Sequence, residues 1–123
     1  MEGSQLNNII KSSKNILLIS HINPDGDTLG SICAMYGVIK DNFHKECEML
    51  CVSKIPKIYE YLPNVSKIKK LEDFDTSREF DLVINVDIAA IDRAGDAKIL
   101  FDKAKFRVNL DHHKTNRGYA DLN

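Results

Sequence analysis

An α/β domain with a doubly wound parallel sheet is what this sequence predicts, and three observations carry the prediction. The runs Asn15-Ile16-Leu17-Leu18-Ile19-Ser20 and Asp81-Leu82-Val83-Ile84-Asn85-Val86-Asp87 are continuously apolar rather than alternating, the pattern of strands covered on both faces. Between such runs lie stretches whose apolar residues recur at helical spacing, so strands alternate with helices. The three strongest strand candidates each run into a cluster of Asp and His.

The elements follow in order. Residues 4–13 have a weak helical pattern in which Leu6, Ile9 and Ile10 share a face. Residues 15–20 form the first strand. His21 to Asp27 is rich in turn formers: Asn23, Pro24, Asp25 and Gly26. Residues 28–43 read as a helix with Leu29, Ile32, Cys33, Tyr36 and Ile39 inward. Its Gly30 and Gly37 lower helix propensity but allow close approach to a sheet. A second strand spans 46–52, and a short helix over 55–61 is stopped by Pro63. Residues 66–71 form a short extended segment, and 81–87 a strand ending on an acid. Residues 91–105 read as a helix with Ile99, Leu100 and Phe101 in the core. A last strand, 106–110, runs into Asp111-His112-His113, and a polar tail follows.

Length and composition narrow the class. The 123 residues suit one compact domain. With 43% hydrophobic and 28% charged residues, the chain is globular rather than disordered. No apolar run approaches the roughly 20 residues of a membrane span, and residues 1–11 lack the apolar stretch of a signal peptide. No membrane partner is expected, and a cytoplasmic location is. The net charge of -1 lacks the basic excess of a long-polymer binder, and Lys67, Lys69 and Lys70 read as a solvated face. A short anionic substrate remains compatible. Cys33, Cys47 and Cys51 are odd in number and expected reduced. Cys47 and Cys51 share the face of one strand and read as core rather than as a metal pair.

In a doubly wound sheet, ligands bind beyond the carboxyl ends of the strands. The three strand ends bring four carboxylates (Asp25, Asp27, Asp87, Asp111) and three imidazoles (His21, His112, His113) toward one place. Gathered carboxylates repel, and a bound cation removes that cost. Carboxylate and imidazole ligands without a thiolate suit manganese, iron, zinc or cobalt, with magnesium less favoured. A pair of ions about 3.5–4 Å apart shares a bridging carboxylate and serves phosphoryl hydrolysis. Each piece alone is weak: Asp-Gly-Asp is often only a turn, and Asp87 could be a helix N-cap. Their joint placement after three buried strands is what points to a site.

His21-Ile22-Asn23-Pro24-Asp25-Gly26-Asp27-Thr28-Leu29-Gly30-Ser31 resembles the first motif of the DHH phosphoesterase superfamily. Asp87 with Arg93 resembles the second, and Asp111-His112-His113 with Asn116 the third. The RecJ-like branch of NrnA type (oligoribonucleases and phosphoadenosine-phosphate phosphatases) looks most similar, over about residues 13–123. The resemblance implies two manganese ions and a short oligonucleotide or nucleotide phosphate ester as substrate. It implies His21 and Asp25 on the first ion, Asp27 and His112 on the second, and Asp87 bridging both. His113 would contact the scissile phosphate, and Asp111 would orient a histidine. Arg93 is read as catalytic or, equally, as a surface helix residue.

One departure matters. The superfamily has a further aspartate well downstream that completes the second ion's ligands, and a C-terminal domain that grips substrate. Neither lies within this chain. The chain is therefore expected to be an N-terminal piece of the DHH domain, weak or inactive alone, with its second metal site incomplete and an exposed sheet edge open to homo-oligomerisation. Two other readings stay open: a metal- or nucleotide-binding module without turnover, and a manganese-type inorganic pyrophosphatase.

Overall fold

The computed structural model describes residues 3–20, 24–75, 77–86 and 96–110. Its centre is a five-stranded sheet, every pairing of which is parallel. The strands are β1 (Ile16–Ser20), β2 (Cys47–Leu50), β3 (Ile68–Lys69), β4 (Leu82–Val86) and β5 (Phe106–Leu110). They lie in the order β3-β2-β1-β4-β5. The expected doubly wound parallel α/β class is what the structure has.

Burial explains why the strands read as unbroken apolar runs. All five residues of β1 and all five of β4 are buried. On one face Ile16, Leu18, Leu82, Ile84 and Val108 meet helices α1 (Gly3–Ser12) and α2 (Gly26–Asp41) through Ile10, Ile32, Tyr36 and Ile39. On the other, Leu17, Ile19, Leu50 and Val83 meet helix α3 (Lys98–Lys103) through Leu100 and Phe101, with Phe80 completing the layer. Helices on both faces satisfy a parallel sheet whose strands expose neither side.

Several sequence expectations shift. Helix α2 starts at Gly26, two residues inside the segment read as turn, because Asp25 caps it. Of residues 55–61 only Lys57–Tyr59 is helical, as a single 3-10 turn. The segment 66–71 opens with a second such turn, Val65–Lys67, before the two-residue β3. Within 91–105 the α-helix covers Lys98–Lys103, and residues 91–95 lie outside the described part. Ile99 is exposed rather than core, because so short a helix buries only the face that carries Leu100 and Phe101. Gly30 and Gly37 do not sit at a helix–sheet contact. A side chain at Gly30 would meet open space, and one at Gly37 would face Asn64; both border a groove beside Leu62 and Pro63.

The three cysteines are buried thiols that form no disulfide. Burial pushes the Cys47 thiol up to about 11, which fits packing and not metal ligation. Lys67, Lys69 and Lys70 are exposed. Lys69 pairs with Glu48 at 3.0 Å, and Lys67 lies over the Tyr36 ring. No described helix is long and apolar enough to cross a membrane.

Asp81 ties the amino ends of three strands together. The backbone N–H groups of Lys14 and Asn15 donate to its Oδ2 at 3.0 and 3.2 Å, and Lys105 Nζ lies 3.5 Å from Oδ1. The two amide donors, with the lysine adding to them, hold its carboxyl below the ordinary range. Asp81→Ala should therefore lower stability at neutral pH by about 1–2 kcal/mol. Because the folded value is depressed, that contribution is present above about pH 4 and fades as pH falls through the folded value. Paired denaturant titrations of wild type and variant should show a gap at pH 7 that closes in acid. Phe101→Ala, which empties the layer on the α3 face, should cost about 3–5 kcal/mol in the same titration.

Candidate metal centre

The sheet order places the site before any side chain is considered. From β1 the chain proceeds outward through β2 to β3, then returns to lay β4 on the opposite side of β1. The direction of winding reverses between β1 and β4, and the crevice at such a reversal, beyond the carboxyl ends, is where open α/β sheets bind ligands. β1, β4 and β5 end at Ser20, Val86 and Leu110, and the segments singled out in the sequence are the next in the chain: 21–27, Asp87 and 111–113.

Asp25 and Asp27 are described in full. Asp25 takes an extended conformation as the N-cap of α2, its Oδ1 accepting from Thr28 N–H at 2.9 Å while its carbonyl accepts from Leu29 N–H at 3.0 Å. Asp27 stands exposed in the first turn of the same helix. Negative charge at a helix N-terminus is stabilised by the helix dipole, so the fold holds two carboxylates together where they would otherwise repel. The cap bond fixes the Asp25 carboxylate through its Oδ1. Both carboxylates are the hard oxygen donors that manganese takes. The residues present thus fit the implied group as far as they are described.

His21, Asp87, Arg93, Asp111, His112 and His113 lie outside the described residues. Among the described residues no three metal-ligating side chains stand together.

Beneath the strand ends the interior changes character. The rows from Ile16 to Leu18 are apolar across β1 and β4. In the row above, Ile19 is level with Asn85, which is level with Asn109 on β5. Both asparagines are buried, as are Ser20 and Thr28. The Ser20 hydroxyl hydrogen-bonds Cys51, easing a thiol that burial pushes up. Buried polar groups need hydrogen-bond partners, and this layer gathers them directly under the candidate site. In the sequence Ser20, Asn85 and Asn109 read as strand and Thr28 as the start of a helix, with no sign of a shared polar layer.

Nor does the sequence single out Tyr59. This residue, on the 3-10 turn Lys57–Tyr59, closes over the Asp25-Gly26-Asp27 backbone. A Cβ added to Gly26 would sit 3.1 Å from the Tyr59 ring, so glycine here keeps room for the ring between the two carboxylates. A glycine between two aspartates was the available signal, but nothing in the sequence said which ring lies on it.

The double duty of Asp25 can be separated. Asp25→Asn keeps a good N-cap and should leave the melting temperature close to wild type, while removing the charge an ion would need. Asp25→Ala should lose both and cost about 1 kcal/mol of stability. Thermal melts with and without manganese check this: only wild type should gain stability from the metal.

Comparison with known proteins identifies the family and the fold. Residues 15–123 match the DHH family, N-terminal domain. A Streptococcus mutans protein named as a probable bifunctional oligoribonuclease and PAP phosphatase NrnA is 32% identical over 115 residues, 92% of this chain and 34% of that protein. The Mycoplasma genitalium bifunctional oligoribonuclease and PAP phosphatase NrnA is 27% identical over 86% of this chain and 32% of its own length. The chain spans about a third of the length of these relatives. A solved structure of an exopolyphosphatase-related protein from Bacteroides fragilis shares the fold at a TM-score of 0.87 and 19% identity, over 97% of this chain and 36% of that one. With residues 15–123, nearly the whole of this chain, matched to that domain, the chain belongs to the DHH family.

Proposed function

We propose that this chain is the N-terminal part of a manganese-dependent phosphoesterase that hydrolyses short oligonucleotides or nucleotide phosphate esters. One observation carries the reading most directly: Asp25 and Asp27 are held together at the α2 N-terminus, beside the β1–β4 reversal. Relatives named for oligoribonuclease and PAP phosphatase activity support the substrate class.

In this reading His21, Asp25 and Asp87 would hold one ion, and Asp27, Asp87 and His112 the other. When bound, two such ions supply an activated water and neutralise charge on the phosphate. The chain's own groups do the remaining work. Asp25, fixed by its cap bond to Thr28, holds its part of the site in register with α2. The N-terminus of α2 favours an anion nearby. His113 contacts the scissile phosphate, Asp111 orients a histidine, and Arg93 offers a cation to the phosphate.

The test uses the full-length protein with manganese, assayed on short oligoribonucleotides and on the bis-phosphorylated adenosine nucleotide, with Asp87→Ala as control. Loss of at least a thousandfold in the variant on either substrate is expected. Equal activity in both proteins would overturn the assignment. Binding of nucleotide without turnover in the full-length protein would favour a binding module, and preferential turnover of pyrophosphate would favour a pyrophosphatase.

A further inference from the structure

The two most exposed large hydrophobic side chains among the described residues are Tyr61, 78% exposed, and Ile58, 72% exposed. They belong to one short segment, and that segment borders the candidate site. Its hydrogen bonds run three residues back, from Tyr59 N–H to Pro56 O, Glu60 N–H to Lys57 O and Leu62 N–H to Tyr59 O. With about three residues per turn, residues i and i+3 share a side. Ile58 and Tyr61 therefore form one face.

The other side of the segment is anchored. Tyr59 packs on Gly26 between the two aspartates, and Leu62 packs against the core below α2. The exposed face is thus held at a fixed distance from Asp25 and Asp27 rather than placed on a free loop. A turn secured by two residues gains nothing in folding from presenting a tyrosine and an isoleucine to water.

We propose that Ile58 and Tyr61 form the substrate lip of the metal centre, with Tyr61 stacking on a nucleobase of the bound nucleotide; this rests on the phosphoesterase reading above. The chemistry suits the class. A nucleotide's base stands off from its phosphate by the ribose, so a platform beside the metal turn, not over it, meets the base while the phosphate meets the ions. Stacking on an aromatic ring tolerates any base. Lys54 and Lys57, exposed on the same segment, complement a ligand carrying phosphates.

Full-length wild type, Tyr61→Ala and Tyr61→Phe are compared on a short oligoribonucleotide and on a base-free phosphate ester, ribose 5-phosphate, with manganese. Tyr61→Ala should raise KM for the oligonucleotide about ten- to a hundredfold with kcat and the base-free reaction little changed, and Tyr61→Phe should restore it. Equal loss on both substrates, or no loss on either, would overturn the lip. Tyrosine fluorescence decides the point independently of catalysis: adenosine monophosphate, and not ribose 5-phosphate, should quench wild type more than Tyr61→Ala. If neither substrate is turned over by wild type, the phosphoesterase reading fails by itself. In that case base-dependent quenching sustains the lip, and its absence overturns it.

Discussion

The pairing of β1 with β4 is the constraint from which the rest of this structure follows. Five consecutive residues of each strand are in register, from Ile16 opposite Leu82 to Ser20 opposite Val86. Both strands are buried on both faces. Parallel neighbours cannot be joined by a tight turn, so the chain between them must make crossovers. It spends 61 residues, 21–81, on α2, β2, β3 and their connections before returning. That long return is what reverses the winding at β1 and β4. Such a reversal is where an open α/β sheet leaves a crevice at the carboxyl end, and the described candidates, Asp25 and Asp27, follow β1 there.

The first helix after the crevice turns a topological opening into a chemical one. Asp25 must be extended to cap α2, and its carboxylate must point back at the Thr28 amide. Helix formation and carboxylate orientation are therefore one event. A side chain that would otherwise sample several rotamers is presented in one. Asp27, a residue inside the helix, stays exposed because its turn faces away from the core side occupied by Thr28 and Leu29. Preorganisation of this kind spares the binding step the entropy of ordering both groups.

Much of this was legible in the residues, for identifiable reasons. Runs such as Ile16-Leu17-Leu18-Ile19 have no polar interruption, so the strand, its burial on both faces and the fold class could be read together. The inward set of α2, from Leu29 to Ile39, was legible because its spacing is helical and every member is buried. Element ends were not legible where a side-chain hydrogen bond decides them: nothing in local propensity placed the start of α2 at Gly26 rather than Thr28. Residues 55–61 looked helical because apolar residues recur there. Pro56 and Pro63 leave room for only one tight turn, and Ile58 and Tyr61 face outward. Of the site, the ligand types and their order along the chain could be read. The ring over Gly26 could not, since Tyr59 lies 33 residues away in sequence.

The sheet also carries a gradient that composition hides. On β1 and β4 the lower positions are Ile, Leu and Val, and one step from the carboxyl edge Asn85 and Asn109 stand side by side, fully buried. Ser20 and Thr28 are buried at the same edge. Burying an amide costs about 1–3 kcal/mol on mutational scales unless it is hydrogen-bonded, so two adjacent buried amides are a demanding feature of this edge. An apolar row in their place would insulate the carboxylates from the sheet and raise the cost of their charge. A row of amides, hydroxyls and one thiol instead supplies dipoles that can turn toward charge. The change from apolar to polar along β1 and β4 therefore marks the carboxyl end of the sheet, where the candidate site lies. It is read from burial and register alone, independently of any motif.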